Sequence, residues 1–427
     1  MRNSHVFCVT IAFAAVLFSA EGATATEYYV SASGSDSNNG TSLDSPFLTI
    51  QKAAGLTNPG DIVYVTNGTY GPLSITRSGS ASGGYIAYQA YPGHHPTINK
   101  TGDSWSAVQL KKENGASYII IDGFNIVGNA EKITVNQAQT AVNYSNVTNG
   151  NCIGTGDKSN HIIIRNNHIS YCPGGGIVAT GDYLYIFNNV IHHNSFWSPL
   201  GTSGITVSGT DSDSSAATKI FVHDNVLYNN QNFICNRFQT NPCRITDGEG
   251  IIVDSNKASH FGGRVLLFNN ISYNNGGPGI EVFQSQHVDV LNNTTYMNNI
   301  SAKELSPFKA HTGGGEIAIS QSTDVNVLNN IMYGGPYAPM IYRGSTSVTK
   351  LLWDYNIMFN GADAKPMGEH DLVLDPLFVK PVAFDFHLQA GSPAVGSGTS
   401  KLAPREDFAG RPRPVGKVDR GAYQFKD

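Results

Sequence analysis

Along this chain a short apolar-rich run closes on an asparagine pair and reopens as a second short run. The copies read IIIRNNHIS around Asn166 and Asn167, YIFNNVIHHN around Asn188 and Asn189, and FVHDNVLYNN around Asp224 and Asn225. LLFNNISYNN, DVLNNTTYMNN and NVLNNIMY follow around Asn270, Asn293 and Asn330, and LWDYNIMF ends the series at Phe359. The second residue of each pair falls at 167, 189, 225, 270, 293 and 330, at intervals of 22, 36, 45, 23 and 37. Self-similarity at such a period marks a solenoid. The shorter intervals fit one coil of a parallel β-helix, and the longer ones a coil with a looped-out insertion.

A glycine-led β run precedes the copies: GGGIVA (174–179), SGITVS (203–208), GEGIIVD (248–254), GPGIEVF (277–283) and GGEIAIS (314–320). A coil therefore holds at least two strands, one opened by glycine and one closed by the asparagine pair. Glycine suits a sharp turn because it reaches positive φ at little steric cost. Coils stack about 4.8 Å apart, so asparagine above asparagine forms an amide ladder. The asparagines then build turns and carry no chemistry.

The ends differ from the middle. Residues 1–25 read as a secretory signal: Arg2 and His5, the apolar run Val6 to Ala20, and the small-residue site Ala23-Thr24-Ala25. No second apolar run is long enough to span a membrane, so the expectation is a secreted chain, extracellular or periplasmic. Residues 26–84 hold a first strand (EYYVS), a polar loop, a helix over 46–56 with Phe47, Ile50 and Ala54 on one face, and the first coil. A solenoid end exposes strand edges and core, so this helix is expected to cap it. Residues 85–375 are coils, with insertions at 128–150, 209–218, 231–247 and 299–313, and loops of that length are usually functional. Residues 376–427 lack the repeat and read as a C-terminal cap. The predicted fold is all-β: a single right-handed parallel β-helix of roughly ten coils with an N-terminal capping helix, expected as a monomer.

Charged residues are only 14%, and the formal net charge is −5, with no basic stripe. A nucleic-acid partner is not expected. Beyond Cys8, four cysteines remain, an even number that suits an oxidising compartment. Cys235 and Cys243 bracket a short loop, and Cys152 and Cys172 are nearly one coil apart. Sequons stand at Asn39, Asn67, Asn143, Asn146, Asn270, Asn293 and Asn299, of which Asn270 and Asn293 belong to the ladder.

The N-terminal SPFLTIQKA and PGDIVYVTNGTY, with the C-terminal DPLFV, DFHLQAGSPAV and GRPRP…GAY, resemble secreted right-handed parallel β-helix proteins of the pectate-lyase-like superfamily. The glycine-led and asparagine-pair coils are similar to its family 9 polysaccharide lyases. The resemblance covers nearly the whole mature chain. It implies an extended polysaccharide as partner and calcium as a cofactor. Those lyases carry a lysine base in the glycine-led strand, and an acidic D-D-G-F-D-like run in the next coil binds calcium. Here Asp254 follows GIIV where that lysine would stand. GPGIE keeps only the last acid, Glu281, with Gly277 and Pro278 in place of the first two.

Alternate residues of a strand face opposite ways. With Ile177, Ile205, Ile251, Ile280 and Ile317 set inward, Asp254, Glu281 and Glu316 come outward on three successive coils. Coil and residue spacings put these carboxylates within roughly 5–10 Å of one another. Asp254, Glu281, Glu316, Lys257 and His287 are the candidate catalytic residues, and the three acids are also the candidate calcium ligands. Asp247 and Glu249 of TDGEG, Arg264, Lys309 and His311 are the candidate substrate contacts, with Asp289, Lys303 and Glu304 nearby. The expected activity is β-elimination on a uronate-containing polysaccharide. Lys257 or His287 would take the C5 proton, and Arg264 or Lys309 would hold the substrate carboxylate. Paired carboxylates equally suit a glycoside hydrolase, and a non-catalytic glycan-binding β-helix is the third alternative.

Overall fold

The computed structural model describes residues 25–110, 115–140, 146–237, 245–300, 314–335, 341–343, 348–362 and 364–426. Residues 1–24 of the expected signal sequence, Cys243 and the segment carrying Lys303, Glu304, Lys309 and His311 lie outside the described residues.

Each full coil has three strands, so the chain folds as a three-sided parallel β-helix. The glycine-led strands form one sheet. Longer strands, such as Asn160–Arg165 and Gln286–Leu291, form the second. The short runs after the asparagine pairs form the third, ten strands from Thr69–Tyr70 to Ile357–Phe359. Pairing within all three is parallel, each strand lying on its counterpart one coil away. One strand, Ile177–Phe187, runs unbroken from the first sheet into the second.

Register follows the isoleucine alignment. Ile177, Ile205, Ile251, Ile280 and Ile317 stack directly on one another and are fully buried. On the second sheet Leu184, Ile220, Val265, Val288 and Val325 do the same. The two stacks face each other across one continuous core. Parallel strands lack short hairpin connections, so every coil must turn its corners with side-chain help.

The asparagine pair makes one corner. Its first residue adopts left-handed φ, as at Asn166, Asn188, Asn269, Asn292 and Asn329, which asparagine tolerates better than most residues. Its second residue points inward and bonds to the next coil. The ladder runs from Asn167 through Asn189, Asn225, Asn270, Asn293 and Asn330 to Asn356, each amide oxygen accepting from the asparagine before it. A second ladder lines the corner before the glycine-led sheet: Asn194, Asn230, Asn275 and Asn298.

The glycines of that corner have a different reason from the one expected. Gly176, Gly204, Gly250 and Gly279 do not have positive φ; a Cβ on each would press on the second ladder, at 2.7 Å from Asn298 Nδ2 for Gly279. Lack of space, not backbone freedom, selects glycine here.

Cys152 and Cys172 form a disulfide with Cα atoms 5.4 Å apart, as stacking of adjacent coils allows. Cys235 is also disulfide-bonded. The N-terminal helix is shorter than 46–56, covering Ile50–Ala54 with Thr49 as N-cap. Phe47 instead bridges to Val30 in extended form. Ile50, Ala53 and Ala54 are buried in the main core.

The C-terminal segment runs back along the flank of the third sheet. Phe378, Phe386, Leu388 and Ala422 pack on Ile271, Tyr273, Tyr296 and Ile331. Arg413 donates to Asn269 at 3.0 Å, and Asn329 donates to the Thr399 carbonyl at 2.8 Å. Among the described residues no helix is long and apolar enough to cross a membrane.

Candidate active site

The outer face of the glycine-led sheet carries the acids. Two outward columns run across the coils. One contains Val178, Thr206, Ile252, Glu281 and Ala318. The other contains Asp254, Phe283 and Ser320. Glu281 therefore stands one coil on from Asp254 and one column across. Glu249, two residues before the inward Ile251, sits at the entrance of Asp254's own strand, where the Ser203 hydroxyl of the preceding coil donates to it.

Insertions build a wall beside this face. Trp197 and Ile234 pack with Ala130, Ile133 and Ala138, and the Trp197 indole donates to the Ala130 carbonyl at 2.9 Å. Residues from three separate connections thus hold one another in place. On this face lies a cleft of about 260 Å³, lined by Asp254, Thr180, Thr206, Ser208, Trp105 and Leu200 among others.

The electrostatics are those of crowded acids. Glu281 is 8% exposed; burial pushes its carboxyl well above the usual range, and the nearby Glu249 and Asp247 push it further. Asp247 is raised for the same reasons, burial first and Glu249 second. Asp254 is raised by burial, partly offset by the Ser255 hydroxyl donating at 2.6 Å. Glu281 and Glu249 are hydrogen-bonded to each other. Two carboxyl groups can share such a bond only if one holds a proton. The site thus sets Glu281, whose ionisation is strongly opposed, beside Asp254, which is less deeply buried and less strongly raised.

Asp247 and Glu249, expected only as substrate contacts, belong to this cluster. Glu316 does not, and its expected outward placement is corrected. It occupies the column held elsewhere by Gly176, Gly204, Gly250 and Gly279, and it is 1% exposed. Its two carboxyl oxygens accept from the Asn298 N–H at 2.8 Å and side-chain amide at 2.7 Å. Glu316 closes the second ladder where the next coil supplies no asparagine, which makes it structural.

Burial pushes Glu316 up to about 7 from an ordinary value of 4.5, despite the Asn298 bonds that pull it down. A folded-state pKa raised in this way means stability is greatest below the unfolded value. It is lost as pH rises toward the folded value. Relative to Glu316→Gln, the wild type should therefore lose stability between pH 4.5 and 7. Denaturant melts of both chains across that window check this, and parallel curves would rule it out.

Two further expectations, those for Arg264 and His287, are corrected, while Lys257 stands in the turn where it was expected. Lys257 lies in the corner after Asp254, and its ammonium donates to the Gln321 carbonyl at 3.0 Å, two coils on. Arg264 and His287 belong to strands of the second sheet, around the corner from the acids. There Arg264 binds Asp289 at 2.7 Å and Asp324 at 2.6 Å, and His287 binds Asp324 at 2.6 Å. Burial works against the Asp324 charge, but His287 and Arg264 hold its pKa below the usual value. This is a self-satisfied surface network.

The calcium set Asp254, Glu281 and Glu316 does not fit either, because Glu316 faces the interior. Among the described residues no three His, Cys, Asp or Glu side chains are placed to hold one metal ion. The residues that sequence reasoning missed are uncharged: Trp105, Thr180, Thr206, Ser208 and Ser203. Carrying the outward alternation back to earlier coils would have found the threonines and Ser208.

Comparison with known proteins agrees with this architecture. No family model matches the sequence. The chain is similar to "Pectate lyase PEL9" of Emericella nidulans, 37% identical over 102 residues. That stretch spans 23% of this chain and 23% of that relative. Among solved structures it is similar to pectate lyase Pel9A, with a TM-score of 0.50 and 15% identity over 94% of this chain and 97% of the other. It also aligns with XylC in complex with xylose, at a TM-score of 0.47 and 13% identity over 93% and 98% of the two chains. Likeness at such identities defines the fold alone. The chain has the fold of the pectate-lyase-like β-helix superfamily.

Proposed function

We propose that the protein is a secreted enzyme that cleaves a polysaccharide at the Asp254–Glu281 cluster, by β-elimination at a uronate residue. The observation that carries this reading is the juxtaposition of a buried Glu281, its carboxyl raised by burial and by the neighbouring acids, with the less deeply buried Asp254 on the outer face of the helix. The match to a pectate lyase favours elimination over other chemistries.

In this reading neutral Glu281 donates a hydrogen bond to the uronate carboxylate, which stabilises the charge that develops when C5 loses its proton. Asp254, made more basic by burial, takes that proton. The C4–O bond breaks, a C4=C5 double bond forms, and the leaving oxygen is protonated by the cluster or by water. Asp247 and Glu249 keep Glu281 protonated by making its ionisation costly.

Glycoside hydrolysis is the second reading. It is favoured by the carboxyl-only character of the cluster, since one protonated acid and one carboxylate are what hydrolysis requires. Incubation with a panel of uronate polymers and neutral glycans tests both. Ultraviolet absorbance of unsaturated uronates supports the lyase. New reducing ends without that absorbance support the hydrolase. Binding without cleavage of any polymer refutes both and leaves a glycan-binding module.

A further inference from the structure

We propose that His168 and His192 form a binding site for a divalent transition-metal ion of the copper(II) or nickel(II) class, which clamps two neighbouring coils on the third sheet. The site is separate from the acid cluster, and it does not depend on which reaction that cluster performs.

The topology brings the two rings together. His168 opens the strand His168–Ser170, and His192 closes the next one, Val190–His192. These strands pair in parallel with Ser170 opposite His192, so the histidines are diagonal neighbours on the outer face. Diagonal neighbours lie within reach of aromatic and long side chains. The two Nε2 atoms are 2.9 Å apart. Two nitrogens bound at a right angle to one ion, each at about 2.0–2.1 Å, are separated by about 2.9 Å, whereas a tetrahedral ion needs about 3.3 Å. The observed spacing is that of adjacent positions around a square or octahedral centre.

The contact is also bent. A straight N–H···N bond of this length would put the ring centroids about 5.2 Å apart. They stand at 4.7 Å, with the ring planes 50° apart. Two nitrogens that both aim at one ion beside the line between them bring the centroids to about 4.5 Å, nearer to what is observed.

The surroundings suit a ligand pair. A ligating histidine commonly gives its other ring N–H to an acceptor, which fixes the ring. His192 Nδ1 lies 2.7 Å from His193 Nδ1, which can accept that proton. The His192 ring also stacks on Tyr228, with centroids 4.7 Å apart and planes at 12°. Burial holds His168, His192 and His193 below the ordinary histidine pKa, His192 at about 4, so all three are neutral at pH 7, as metal ligation requires. His168 is exposed and His192 is buried, so an ion enters from the His168 side. With two protein ligands the remaining positions go to water. Imidazole suits both ions, and affinity among the divalent metals peaks at copper.

The test titrates the untagged protein with copper(II), nickel(II) and zinc chlorides at pH 7. Calorimetry, thermal melting and electron paramagnetic resonance follow the binding. One copper ion per chain should bind more tightly than the remaining histidines, of 13 in the chain, take it up. The resonance spectrum should show two nitrogen ligands, and the melting temperature should rise because the ion binds the folded coils. His168→Ala, a change at an exposed position, should weaken copper binding at least ten-fold and abolish the melting shift. His192→Phe should do the same while keeping the stack on Tyr228. His193→Gln should cost several-fold, because it acts through the ring of His192. Equal copper affinity in wild type and His168→Ala overturns the proposal and leaves adventitious binding to surface histidines. A single nitrogen in the spectrum, or zinc bound more tightly than copper, overturns it as well.

Discussion

Asp254→Asn should lower turnover on the true substrate at least ~10²-fold, the lower end of what a positioned acid–base group contributes. It should leave the melting temperature almost unchanged. Asparagine keeps the volume and one acceptor for the Ser255 hydroxyl. It also removes a carboxyl group whose ionisation is opposed by burial. Glu281→Ala should cost as much, in either chemistry. Glu281→Gln separates the two. In elimination the amide still donates a hydrogen bond to the uronate carboxylate, so much of the rate survives. In hydrolysis the amide has no proton to give to the leaving oxygen, so the rate falls as far as in Glu281→Ala. Glu281→Gln also tests the electrostatics. Glu281 is raised above its ordinary value, so the wild type loses stability as pH rises through the folded pKa. The glutamine variant lacks that loss and should melt at the same or a higher temperature above neutral pH. Near-full turnover in all three folded variants would mean that the chemistry lies on another face.

Much of the architecture was readable because two residue types are forced by the stacking. The inward isoleucines repeat at one position per coil, and the buried second asparagine of each pair has no substitute that satisfies the same backbone groups. Alignment on Ile177 to Ile317 therefore gave the right register and put Asp254 and Glu281 outward. It failed for Glu316 because alternation holds only within a strand. Glu316 precedes its strand, in a corner where the four preceding coils carry glycine and the Cβ direction is inward. The visible clue was the position itself: the four preceding coils carry glycine there, Gly176, Gly204, Gly250 and Gly279.

Arg264 and His287 were misplaced for a related reason. A coil of two strands would bring the segment after the glycine-led strand back toward the same wall. The third sheet and the corner at Gln284, with φ of 46°, carry His287 onto the adjacent flank. Glu249 was undervalued because it stands before the strand. Only the hydrogen bond to Glu281 reveals it as part of the cluster.

The largest stability effect should come from the first asparagine ladder. Asn189 Nδ2 donates to the carbonyls of Ile164 and Phe187, both at 3.0 Å, and to Asn225 Oδ1 at 3.0 Å. Its Oδ1 accepts from the Asn167 N–H at 3.0 Å and from Asn167 Nδ2 at 3.1 Å. Asn189→Ala leaves these groups unsatisfied in a position that is 1% exposed. At about 1–3 kcal/mol for each buried orphan, with partial relaxation among neighbours, the expected loss is roughly 3–6 kcal/mol. The adjacent Asn188 provides the control. It is exposed, and it has φ of 55°, a conformation glycine adopts freely. Asn188→Gly should change stability by less than about 1 kcal/mol. In a solenoid each coil contacts only its neighbours, so the damage should also be local. Amide exchange in Asn189→Ala should accelerate most in the flanking strands Asn160–Arg165 and Thr218–His223, and least near Thr349–Asp354. Equal stability of the two variants, or acceleration spread evenly along the chain, would show that the ladder does not hold the coils together.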